Sequence, residues 1–397
     1  MDLEIDAESA AFRDEVRAWL AANVPRPALP SMDTAEGFDA HREWEATLAD
    51  ARLSVVTWPR EYTGRDASLV QWLLFEEEYY AAGAPGRVGQ NGIFMLAPTL
   101  FAHGTREQRD RILPAMARGE QVWAQAWSEP EAGSDIAALR SRAVRTDGGW
   151  LLSGQKTWSS RAAFADKAFG LFRSDPDPGR HGAGASSAGG HGAGASGAGR
   201  HGGLTYLMFD LRADGVTVRP IPQLDGEPGF AEIFLDEVFV PDADVIGEPG
   251  DGWRVAMTTA NNERGLSLRS PGRFLAAADR LVRLWRERGA SAATAERVAD
   301  AWLGARAYQL YTYGTVTRLA EGGDLGPESS VNKLFWSALD VELHETALDL
   351  LGPDGELAGP WGDGYLFSLA GPIYGGTDQI QRNIVAERLL GLPREPR

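Results

Sequence analysis

Residues Ala124–Asp135 read AQAWSEPEAGSD. A proline and a glycine three residues apart cannot both sit inside a helix, so this is an irregular loop held in one shape. Its free N–H and O–H donors suit a polar, planar or anionic ligand better than core packing. An ordinary surface turn has the same composition, so the neighbouring sequence must decide. The stretch also lies where the periodicity of the chain changes, and the fold is read outward from it.

Toward the N-terminus the pattern is helical. Asp6 to Asn23 places Phe12, Val16, Trp19 and Leu20 on one face, and Pro25, Pro27 and Pro30 then break it. His41–Arg52, Ser68–Ala82, Ile93–Phe101 and Arg106–Ala117 continue the pattern. Toward the C-terminus, Ala138–Arg145, Gly149–Ser153, Lys167–Arg173, Thr205–Asp210, Val216–Pro220 and Glu232–Val240 are short, β-branched or alternating, and punctuated by turn residues. Six such segments predict a compact barrel or sandwich. After Gly252, the segments Trp253–Arg264, Ser270–Arg288, Ala292–Glu321, Glu328–Leu351 and Gln379–Leu390 read as a helical bundle. The expected fold class is mainly α with a central β domain. The expected domains are 1–120, helical; 121–241, β; and 242–397, a four-helix bundle.

The stretch 175–203 falls outside this scheme. It is rich in Gly, Ala, Ser and His and repeats HGAGAS at His181–Ser186 and His191–Ser196, so it reads as an expanded surface loop. Gly192, Gly194 and Gly197 match G-x-G-x-x-G there without a strand before or a helix after, which fails the dinucleotide-site context. His181, His191 and His201 are read as part of the repeat rather than as a metal site.

The 397 residues suffice for several domains, with 43% hydrophobic and 24% charged side chains. A net charge of −17 disfavours nucleic acid and anionic membrane surfaces as partners. The absence of cysteine removes disulfides and thiolate chemistry, and without an H-E-x-x-H pair a zinc enzyme is not expected. No secretory signal and no uninterrupted apolar span is read, so the expected location is the cytoplasm.

Four further clusters carry polar groups that chemistry can use. Trp158-Ser159-Ser160 ends a predicted strand and offers either core plus turn or a stacking face with donors. Asn261-Asn262-Glu263-Arg264 closes the first C-terminal helix; taken alone, Glu263-Arg264 reads as a solvated charge pair. Thr377, after Gly375-Gly376, reads as a helix N-cap. Arg382 follows on the helix that Thr377 opens.

The ordered series S-E-P-x-A-G-S-D, D-G-x-W-x-x-x-G-Q-K-x-W-S-S and G-G-T-D-Q-I-Q-R-N-I-V-A-E-R resembles the acyl-CoA dehydrogenase family over the whole chain except the low-complexity loop. The resemblance implies a flavoenzyme with FAD between the β domain and the C-terminal bundle. It implies that Trp127 and Ser128 contact the flavin, that Gly133 and Ser134 form a turn near the FAD pyrophosphate and CoA, and that Trp158 and Ser160 lie along the ring. Thr377 and Gln379 correspond to residues near the phosphates and adenosine. Ser134 and Arg264 are the implied substrate contacts.

The implied reaction is α,β-dehydrogenation of an acyl thioester, with an electron-transfer flavoprotein as acceptor. The catalytic Glu of the common Y-E-G-T motif is replaced by Gly375, and the E-R pair at Glu263 matches the branches whose base lies on the first C-terminal helix. Motifs that homotetrameric members use to complete a neighbour's FAD site lack their arginine and glutamine in Tyr308–Gly314 and Leu350–Gly355. That resembles α2β2 members, so either a homo-oligomer or a pair with a paralogous chain is expected. A carrier-protein thioester dehydrogenase, a flavin monooxygenase and a non-catalytic subunit are the alternatives on the same scaffold.

Overall fold

The computed structural model describes residues 4–174, 201–263, 270–289, 291–323 and 325–394, with backbone alone at Asn262, Glu263 and Ala293. The repeats at 181–196 and Arg264 therefore lie outside the described residues.

Five helices come first: α1 Ala7–Asn23, α2 Ala35–Asp50, α3 Leu69–Ala81, α4 Ala97–His103 and α5 Arg106–Ala117. Their starts are chemically marked. Asp6, Thr34, Ser68 and Thr105 each accept a backbone N–H from the first turn, and the last two form full capping boxes with Gln71 and Gln108. The segment expected as one helix over Ile93–Phe101 is a π-turn, Gly92–Leu96, running into α4. Pro98 has no N–H to give to Phe94, and the Ala97 N–H bonds back five residues to the Gly92 carbonyl, widening the turn.

Eight strands follow: β1 Trp123–Ala126, β2 Arg142–Thr146, β3 Gly149–Ser160, β4 Lys167–Arg173, β5 Leu204–Asp210, β6 Val216–Ile221, β7 Phe230–Pro241 and β8 Val245–Ile246. Their hydrogen-bonded order is β6-β7-β3-β2-β4-β5-β8, with β1 parallel to β4. Alternate residues of β4 and β5 serve two cores. Phe169, Leu171, Tyr206 and Met208 pack toward the N-terminal helices. Phe172, Leu207 and Phe209 meet Trp150, Leu152, Ile233 and Val238 of β3 and β7. The two ends of the sheet thus close over one interior, as in a sandwich.

Two sequence expectations change here. β3 runs seven residues past Ser153, because Gly154 (φ +147°) makes a bulge in the pairing with β7 rather than a turn. Strand β2 starts at Arg142 and not Ala138, since Ile136–Ala138 forms a 3₁₀ turn.

The C-terminal helices are α6 Gly252–Glu263, α7 Pro271–Arg288, α8 Ala292–Ala320, α9 Glu328–Leu351, α10 Pro360–Ser368 and α11 Asp378–Ile384. Phe274, Leu281, Ala305, Tyr308, Trp336 and Leu343 form the core of α7, α8 and α9. Helix α7 also lies against α3 of the N-terminal group. A Cβ on Gly272 would stand 2.6 Å from the Glu76 carbonyl oxygen, so the approach admits no side chain.

Candidate active site

The opening loop is built by two buried charges. After β1, the Ser128 carbonyl accepts the Thr157 N–H at 2.9 Å, which hooks the loop onto β3. The Glu129 carboxylate accepts the N–H groups of Arg140 (2.6 Å) and Ser141 (2.9 Å) and the ammonium of Lys156 (2.9 Å). Lys156 is fully buried, also donates to the Leu171 carbonyl at 2.9 Å, and sits 4.7 Å from the Phe172 ring centre. Burial raises the Glu129 pKa, but Lys156 and the two N–H groups outweigh it and hold the carboxyl below its usual range. Burial pulls the Lys156 ammonium down, against the pull of Glu129. The S-E-P and G-Q-K motifs are therefore two halves of one clamp. Glu129 and Ala132 exchange backbone hydrogen bonds of 3.0 Å in each direction, closing a tight turn that leaves Gly133 and Ser134 exposed.

The clamp sets Trp127-Ser128 beside the second motif. Between Lys156 and Ser159 the pairing of β3 with β7 slips, and Trp158 takes a left-handed backbone (φ +58°). Arg161 does the same (φ +53°). Such residues cost on the order of 1–3 kcal/mol each and collect at functional sites. The slip turns the Trp158 indole out of the sheet, 59% exposed, with its edge contact to Phe230 at 6.0 Å. Ser160 pairs with Phe230 across the ladder. The Ser159 hydroxyl and the Trp127 indole N–H are buried without a hydrogen-bond partner.

Tyr206, which no sequence motif marks, connects this wall to α6. Its ring lies edge-on to Trp127 at 6.2 Å and stacks on Phe169. Its hydroxyl meets Thr259 Oγ1 at 3.0 Å, and Thr259 in turn meets Thr99 Oγ1 of α4 at 2.7 Å. Glu263 is the last residue of α6, one turn beyond Thr259; its side chain lies outside the described residues.

The third motif folds separately. Gly375 (φ +63°) and Gly376 (φ +82°) make a turn whose carbonyls accept the Gln381 amide at 2.8 and 3.4 Å. Thr377 caps α11 through the Ile380 N–H at 3.3 Å. Asp378 is tied to the buried Lys333 of α9 at 2.7 Å. Gln379 is exposed. Helix α11 packs on α9, so Thr377 and Gln379 are held by the C-terminal bundle rather than by the β-domain wall.

Helix, sheet and bundle, with these three motifs in order, define a class, and direct comparison bears on it. The family descriptions "Acyl-CoA dehydrogenase, N-terminal domain", "middle domain" and "C-terminal domain" match residues 6–120, 124–238 and 250–390. The chain belongs to the acyl-CoA dehydrogenase family and is an oxidoreductase. It is 39% identical to acyl-CoA dehydrogenase IpdE1 of Mycobacterium tuberculosis, over 97% of this chain and 98% of that one. It is 37% identical to acyl-CoA dehydrogenase FadE34 of the same organism, over 98% of this chain but 50% of that protein. Among solved structures, a chain of the ChsE4–ChsE5 complex from Mycobacterium tuberculosis superposes with a TM-score of 0.80 at 26% identity, covering 100% of both chains.

Proposed function

We propose that this protein is an FAD-dependent dehydrogenase that introduces an α,β double bond into an acyl-CoA thioester. The observation that carries the reading is the wall made by Trp127-Ser128 and the outward-turned Trp158, hooked together at Ser128 and tied through Tyr206 to the helix that ends in Glu263. The residues suit a flavin. An exposed indole face suits a flat ring, and the buried, unpartnered Trp127 N–H is a donor awaiting an acceptor. A Cβ on Gly133 would meet nothing within 4 Å, which leaves open backbone at the turn assigned to the pyrophosphate and CoA. Gly133, Ser134, Trp158 and Ser160 would hold FAD on the β-domain side, and Thr377 and Gln379 on the side of the bundle.

FAD, when bound, supplies the acceptor for the substrate's β-hydrogen. Glu263 removes the α-proton as general base, with Ser134 and Arg264 holding the thioester. Gly375 carries no side chain that could do so. Glu263→Gln is expected to lower the rate of anaerobic flavin bleaching by an acyl-CoA substrate by about 10²–10⁴-fold. Its flavin content, read from the absorbance of the purified protein, stays at the wild-type level. Turnover retained in the variant would rule Glu263 out as base.

The reading extends to assembly. Many of the exposed large hydrophobics belong to the C-terminal part of the chain, among them Leu303, Tyr311, Phe335, Phe367, Ile373 and Leu390. Such a surface calls for a covering chain. A paralogous partner is favoured over a second copy because the arginine and glutamine expected from a neighbour are absent from Tyr308–Gly314 and Leu350–Gly355. The match of this chain to half of a longer relative is consistent with pairing of two such units. Electrons pass on to an electron-transfer flavoprotein.

A further inference from the structure

The slipped end of β3 is anchored on both sides of Trp158. Before it, the Thr157 N–H is hooked to Ser128 and the Lys156 ammonium to Glu129. After it comes Arg161, the second residue of this stretch with a left-handed backbone (φ +53°). Glycine takes that conformation without strain, whereas an arginine keeps it only where its surroundings hold it there. Its N–H donates to the Gly229 carbonyl at 2.9 Å, and its own carbonyl accepts the N–H groups of Phe164 and Ala165, both at 3.0 Å. Its guanidinium forms an ion pair with Asp33 at 2.7 Å, with the two side chains 15% and 21% exposed.

Asp33 belongs to the N-terminal domain, one residue before Thr34, the N-cap of α2. It is itself held in place. Its N–H donates to Ser31 Oγ at 3.3 Å, and the Ser31 hydroxyl donates to Glu227 in the loop between β6 and β7. A Cβ on Gly229 would stand 3.0 Å from the Asp33 carboxylate and 2.4 Å from the Gln223 amide, so that loop closes tightly beside the pair. Helix α2 then follows the connection from β3 to β4. Phe38 meets Phe164 at 5.5 Å between ring centres, and Arg42 meets Asp166 at 2.5 Å. Of these three contacts with the N-terminal domain, that of Arg161 lies nearest along the chain to Trp158.

We propose that Arg161 is a positioning residue, whose ion pair with Asp33 fixes the end of β3 so that the Trp158 indole faces outward as a wall of the flavin site. The inference rests on the flavin reading given above. At 59% exposed, the indole has little packing of its own beyond the edge contact with Phe230. The backbone path on either side therefore sets where it points. Without the tie to Asp33, the strain at Trp158 and Arg161 favours relaxation of the slip, and the indole loses its orientation. Arg161→Gly separates backbone from side chain, since glycine accepts the left-handed path but cannot reach Asp33.

The test uses the full chain in the assembly in which it purifies, labelled with fluorotryptophan. The fluorine resonance of Trp158 is identified by its loss in Trp158→Phe. Asp33→Asn and Arg161→Gly are each expected to shift or split that resonance, with those of Trp123 and Trp150 unmoved. Arg161→Lys, which keeps the charge, and Arg42→Gln, which breaks the contact with Asp166 instead, are expected to leave it in place. Flavin released on dilution, followed by its fluorescence, gives a second readout. The Kd for FAD should rise about 2–10-fold in Arg161→Gly, the range of one aromatic contact, and no further when Trp158→Ala is added. A Trp158 resonance unmoved by Asp33→Asn or by Arg161→Gly overturns the proposal. So does an equal shift in Arg42→Gln, or displacement of all three tryptophans together. If the protein purifies without flavin and takes up none, the flavin reading fails, while the fluorine resonance still decides whether Arg161 orients Trp158.

Discussion

Lys156 and Glu129 are the residues on which the shape of the site turns. Each is buried, and each satisfies the other together with backbone groups of Arg140, Ser141 and Leu171. Removing one partner of such a pair leaves an uncompensated charge and costs about 3–5 kcal/mol. Lys156→Met should lower the unfolding free energy in urea by that amount and release flavin on dialysis. The double variant with Glu129→Gln should recover part of the loss. Glu76 makes a second prediction at this scale. Burial, only partly offset by Arg87 and Ser270, raises its carboxyl from 4.5 to about 7, so the folded protein holds a proton that the unfolded chain has already released. The folded state is therefore favoured at low pH, and stability falls as pH rises from about 4.5 through 7, by up to ~3 kcal/mol from this group. Denaturant titrations at pH 5 and pH 8 should differ less in Glu76→Gln than in the wild type. A larger difference in the variant would contradict the assignment.

Among the elements, the helices were legible because apolar residues recur on one face and polar residues cap the ends. Ser68 and Thr105, each with a glutamine three residues on, begin their helices in full capping boxes. Strand β3 exceeds the predicted Gly149–Ser153 because Ser153-Gly154 has the composition of a turn, whereas cross-strand pairing with β7 makes it a bulge. A period-2 signal cannot anticipate a bulge, since the bulge is decided by the partner strand. The joint between α3 and α7 is a matter of distance that sequence does not encode. Gly272→Ala should cost about 1–3 kcal/mol or more by forcing these helices apart, measured as a lower denaturation midpoint at unchanged m-value. A neutral result would mean that the two helices separate freely.

At the scale of the whole molecule, the described residues contain no helix long and apolar enough to cross a membrane. Several exposed large hydrophobics lie in the C-terminal part of the chain, where Ile373, in the loop before α11, and Leu390, just beyond the last helical turn, are each 65% exposed. Ile373→Glu with Leu390→Glu should shift the protein to a smaller species in light scattering and lower its flavin content. An unchanged mass would place the assembly surface elsewhere.

The sequence by itself determined the order of helices, sheet and bundle, because that order is written in local periodicity and caps. It also determined the residue types of the three motifs, whose spacing is set along the chain. Only the tertiary structure decided that Ser128 hooks onto Thr157, that Glu129 and Lys156 form one clamp, and that Tyr206 joins the opening loop to α6. It alone also set Arg161 against Asp33. Those partners lie tens of residues apart, and the desolvation that gives a buried charge or hydroxyl its consequence exists only once the chain has closed around it.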